Sequence, residues 1–147
     1  MGRFIRKIKR FIKDHRTVKI NGIKSMEFRY TVGCFMNADI WYGISFEDGK
    51  YIACVKPKLK SSEEARTFAV DEAFVEEIRA FLSDMGVGAW NGFKKVDKRV
   101  CDGRNFDLRL ETHDGQVLYA HGYERYPKNF PTVRDRLRTV FEGLLEE

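Results

Sequence analysis

Proline and cysteine are scarce in this 147-residue chain, with three of each, and histidine also occurs only three times. Cys34, Cys54 and Cys101 are far apart and odd in number, with no Cys-x-x-Cys pair, which argues against a disulfide framework or a zinc knuckle. Reduced, mostly buried thiols in a cytoplasmic protein are the expectation. His15, His113 and His121 are as scattered as the thiols, so no metal and no cofactor is expected. No apolar run approaches the ~18 residues that a bilayer span requires. The first residues lack the apolar stretch and small-residue cleavage site of a secretory signal. Also missing are a Gly-x-Ser-x-Gly elbow, a Gly-rich phosphate loop ending in Lys-Ser or Lys-Thr, and a His-Glu-x-x-His pair, each of which would announce an enzyme class.

What is present is an ordinary globular composition, 43% hydrophobic and 33% charged, and a length that suits one domain. The net charge is +5, but it is unevenly placed. Residues 1–30 hold ten basic side chains against two acidic ones, whereas the rest of the chain holds 17 against 20. A nucleic-acid-binding domain spreads basic residues over a face of the fold, so the high pI is weak evidence for that partner. The sequence divides into a basic leader, residues 1–22, and a single α+β domain, residues 23–147.

Within the leader, Phe4, Ile5, Ile8, Phe11 and Ile12 fall on one face of a helix, and the opposite face carries Arg3, Arg6, Lys7, Lys9, Arg10 and Lys13. Such a helix suits a peripheral anionic surface, membrane or phosphate backbone, and it equally suits docking of its apolar face on the domain itself. It lacks the interleaved aromatics and helix-turn-helix or RNP pattern of sequence-specific nucleic-acid binding.

Asn21-Gly22 reads as the two-residue tip of a hairpin. Met26, Phe28, Tyr30 and Val32 alternate with polar residues as a half-buried strand. Trp41–Phe46 and Tyr51–Val55 around Asp48-Gly49 predict a second hairpin, and Arg66–Val70 a short edge strand. Asp71 is placed to cap a helix carrying Phe74, Val75, Ile78, Phe81, Leu82 and Met85, with Gly86 as its stop. Asn105–Thr112 and Val117–Gly122 predict a third hairpin around Asp114-Gly115, and Pro131 opens a final helix with Val133, Leu137, Val140, Phe141 and Leu144. The class is α+β: a mainly antiparallel sheet of hairpins with two amphipathic helices on one face. The order strand, turn, strand, helix occurs twice and raises a duplicated ββα unit.

Between the two helices the chain is dense in aromatic, amide and glycine residues. Trp90, Asn91, Phe93, Asp102, His121, Tyr123, Tyr126 and Asn129 are the candidate residues for binding a protein or small ligand, because loops on a rigid scaffold hold such groups at its rim. Each has a structural use too: Trp90 and Phe93 can pin the chain beneath the sheet, and Pro127 with Phe130 can staple the last helix. An enzymatic reading rests on His121 with Asp102 and with Tyr126 or Cys101; nothing in the spacing favours it over a binding role.

Trp90-Asn91-Gly92-Phe93, then Val100-Cys101-Asp102-Gly103 before a strand, an Asp-Gly hairpin and Gly122-Tyr123-Glu124-Arg125-Tyr126-Pro127-Lys128-Asn129-Phe130 also resemble a recurrent domain of uncharacterised bacterial proteins. The likeness spans roughly residues 26–145 in order of elements and is most specific in its last sixty or so, by motif length. It implies an α+β domain with no assigned activity. Glu124 and Arg125 depart from that pattern, which has a small residue and Asn before Tyr-Pro.

Overall fold

The computed structural model describes residues 17–32, 38–56, 64–100 and 103–146. The expected basic helix, with Arg3, Arg6, Lys7, Lys9, Arg10 and Lys13, lies outside the described residues, as do Cys34, Cys101 and Asp102.

The chain is α+β. Seven strands form one sheet: β1 (Ser25–Val32), β2 (Ala38–Glu47), β3 (Lys50–Lys56), β4 (Arg66–Val70), β5 (Lys94–Val96), β6 (Arg104–Glu111) and β7 (Val117–Tyr123), in the order β4-β3-β2-β1-β6-β7-β5. Every pairing is antiparallel except β5 with β7. The first strand is therefore central, flanked by Ile44 and Leu110 opposite Met26. The period-two pattern decides which side chains are inside. Met26, Phe28 and Tyr30 are buried on one face together with Tyr42, Val55, Leu108 and Leu118, while Glu27, Arg29 and Thr31 point to the other. Asp48 and Gly49, both with positive φ, make the tight turn of the β2–β3 hairpin.

Two helices cover the apolar face. In α1 (Glu72–Asp84) the Asp71 side chain accepts from the Phe74 amide at 2.9 Å, satisfying one of the free N–H groups of the first turn. Val75, Ile78 and Leu82 are its buried stripe. In α2 (Phe130–Glu142), Pro131 stands in the first turn and Phe130, Val133, Leu137 and Phe141 face the core. Phe141 stacks on Tyr42 at 5.1 Å and meets Phe74 edge-on at 5.8 Å, tying both helices to the middle of the sheet. Full burial of side chains of this size stabilises by roughly 1.5–3 kcal/mol each, so this shared layer holds the fold together.

One expectation is corrected. Asn21-Gly22 is no hairpin tip: residues 17–22 are not a strand. Instead the Val18 amide donates to the Gly88 carbonyl at 3.0 Å, and Lys19 bonds the Gln116 side chain. Val18 and Ile20 are buried in the core, so the packed body already includes the end of the segment assigned to the leader. Gly88 is required there, because a Cβ on it would lie 2.0 Å from the Val18 carbonyl oxygen.

The two hairpin–helix units lie on either side of β1. They run outward in opposite senses, with equal strand directions and both helices on one face. Units so placed are mirror images that no rotation superposes, and the geometry lends a duplication no support.

Candidate functional site

The loop residues singled out in the sequence divide between the two sides of the sheet. On the helix side, a 3-10 turn, Val87–Trp90, follows α1 and brings Trp90 under the sheet, where it is 3% exposed. Its ring lies 6.2 Å from Phe106 and 6.0 Å from Phe130, and its indole N–H donates to the Lys128 carbonyl at 3.0 Å. Tyr126 stacks on Phe130 at 4.7 Å, and Phe93 packs on Phe106 at 6.2 Å. Asn129 takes a positive φ of 70° and its amide donates to the Met85 carbonyl, joining the start of α2 to the end of α1. Burial, followed by the neighbouring Tyr30 and Glu124, pushes the Tyr126 phenol up to about 12, so it stays protonated at neutral pH.

These four residues, Trp90, Phe93, Tyr126 and Asn129, surround one notch of about 680 Å³. Its wall is aromatic and its rim carries Lys95 and Lys128, with Asp84 as the carboxylate in the lining. The Lys95 ammonium sits 5.4 Å over the Phe93 ring. An apolar wall with two cations at its mouth suits an apolar group flanked by negative charge.

The other residues are elsewhere. His121 and Tyr123 are on β7 with their side chains on the opposite face, since Leu118, Ala120 and Gly122 take the buried positions of the strand. His121 Nδ1 lies 2.8 Å from Asp107 Oδ1, and the Tyr119 hydroxyl donates to the same oxygen at 3.2 Å. The Tyr123 hydroxyl accepts from the Gly103 amide and donates to the Val100 carbonyl, closing the loop before β6. Asn91 accepts from the Tyr119 amide. The histidine and Tyr126 therefore stand on opposite sides of the sheet and form no joint acid–base set. Among the described residues no group of three His, Cys, Asp or Glu gathers to hold a metal, and no helix is long and apolar enough to cross a membrane.

A second concavity went unnoticed in the sequence because its residues come from five strands. On the face away from the helices, register places Thr67, Cys54, Gly43, Glu27 and Arg109 in one row across β4, β3, β2, β1 and β6. The absent side chain of Gly43 leaves a bowl of about 480 Å³, with Trp41, Ile52, Cys54, Glu27 and Arg109 in its wall. The Arg29 guanidinium covers the Trp41 ring at 5.3 Å and bonds Glu27 at 2.7 Å. The Trp41 indole N–H is buried and has no acceptor among the described residues; a donor left so costs about 1–3 kcal/mol. Burial, with the Glu27 carboxylate adding to it, raises the Cys54 thiol above its ordinary value.

No family model matches the chain, and no curated protein matches it.

Proposed function

We propose that this chain is a binding domain rather than an enzyme, and that its notch receives an acidic segment of a partner protein with an apolar side chain as anchor. The observation that carries this reading is the convergence of Phe93, Tyr126 and the rim lysines Lys95 and Lys128 on one cleft between the end of α1 and the start of α2. The anchor would lie against the aromatic wall, and the lysines would meet flanking carboxylates. Rim charges of this kind contribute more to the rate of encounter and to partner choice than to affinity. Binding rather than turnover is favoured by the separation of His121 from Tyr126.

The test is an amide-resolved NMR titration with short peptides, an Asp/Glu-rich series around one Phe or Leu and a matched Lys-rich series. The acidic series should move the amides of Phe93, Lys95, Tyr126 and Lys128 saturably, and the double variant Lys95→Glu, Lys128→Glu should lose the response while keeping its fold. Shifts that fall elsewhere, or that persist after charge reversal, would overturn the proposal.

A further inference from the structure

The bowl on the sheet face opposite the two helices is independent of the notch, and we infer that it is a site for a small apolar carboxylate, aromatic or short-chain aliphatic. The first support is shape. A sheet face of alternating side chains is normally filled at every position, but here Gly43 leaves the middle of a row vacant between Trp41 and Cys54. A Cβ at Gly43 would meet the Met26 carbonyl oxygen at 3.4 Å and the Cys54 Cβ at 3.6 Å, so a larger residue fits the backbone and would fill the vacancy. The lining exposes more apolar than polar surface, with Trp41, Ile52 and Cys54 on this face.

The second support is charge. Glu27, the carboxylate in the wall, is neutralised by Arg29 at 2.7 Å. Arg109, its cross-strand neighbour on β6, has no ion pair among the described residues. Within the described residues the Arg109 guanidinium in the wall is thus left without an ion pair, and its planar fork matches a carboxylate. An apolar bowl with Arg109 as the cation in its wall that forms no ion pair among the described residues suits a monoanion with an apolar body: the carboxylate on Arg109, the body over Gly43 against Trp41 and Ile52.

The probe is 1-anilinonaphthalene-8-sulfonate, a monoanion with an apolar aromatic body, titrated by fluorescence and displaced with benzoate. Wild type should bind it saturably at one site, with benzoate competing. Arg109→Gln should weaken the apparent affinity at least tenfold, and Gly43→Val should abolish it with the far-ultraviolet spectrum retained. Lys95→Gln with Lys128→Gln, in the notch, should change nothing. Arg109 forms no ion pair among the described residues, so its variant keeps the experiment decisive should Gly43→Val fail to fold. Absence of saturable binding, or binding that ignores Arg109→Gln or follows the notch lysines, would overturn the inference.

Discussion

Replacing Trp90 separates a residue that recognises a partner from one that holds the fold. The indole is 3% exposed, packs on Phe106 and Phe130, and gives its N–H to the Lys128 carbonyl. Truncating a buried aromatic to Ala costs roughly 3–5 kcal/mol, and leaving the Lys128 carbonyl without its donor adds about 1 kcal/mol. Trp90→Ala should therefore lose about 4–6 kcal/mol, a large share of the ~5–15 kcal/mol that a domain has in total. For a chain of this length each kcal/mol corresponds to roughly 2–4 °C in Tm, so the melting temperature should fall by roughly 8–24 °C. Trp90→Phe keeps an aromatic ring against its neighbours but not the hydrogen bond, and should lose about 1–3 kcal/mol. Urea unfolding followed by circular dichroism, with thermal melts alongside, measures both. A surface recognition residue would cost no more than about 0.5 kcal/mol. Should Trp90→Ala prove within about 1 kcal/mol of wild type, the packing account of this loop is wrong.

Gly88→Ala places a Cβ 2.0 Å from the Val18 carbonyl oxygen; it should detach residues 17–20 from the body, seen as faster hydrogen exchange at the Val18 amide together with a lower urea midpoint. Asp71→Ala removes the acceptor for the Phe74 amide and should cost about 1 kcal/mol, with Asp71→Ser recovering most of it in the same urea assay. Asp114 accepts from the Thr112 hydroxyl and the Asn21 amide, which together hold its carboxyl down at about 2. A carboxyl whose value is lower in the folded state stabilises above its unfolded value near 4 and loses that contribution as pH falls towards 2. Asp114→Asn should therefore flatten the fall of the urea midpoint between pH 4 and 2, and an unchanged slope would remove the assignment.

Much of the fold is legible in the sequence because local physics is decisive there. The alternation of Met26, Phe28 and Tyr30 gives β1, the Asp48-Gly49 turn gives the β2–β3 hairpin, Asp71 marks the start of α1, and Pro131 that of α2. Asn21-Gly22 misled because a turn signal needs two strands that pair, and the segment before it pairs with nothing in β1; Val18 and Ile20 gain more by entering the core. The short β5 has neither alternation nor length to show itself, and exists because β7 offers an unpaired edge alongside residues 94–96.

The candidate sites are less legible still. The aromatic density of residues 90–130 is visible in the sequence, but whether a ring packs or recognises depends on the face to which its strand turns it. One residue of register separates the buried side of β7 from the side bearing His121. Thus Trp90, Phe93, Tyr126 and Asn129 meet at one notch while His121 and Tyr123 stand behind the sheet. The sequence alone determined the α+β class, the hairpins at Asp48-Gly49 and Asp114-Gly115 and both helices, since periodicity, caps and turns act within a few residues. Only the tertiary structure decided the central place of β1, the notch and the bowl beside Gly43, because these arise from segments distant in sequence, Ser25 and Glu111 among them, brought together by the burial of one face.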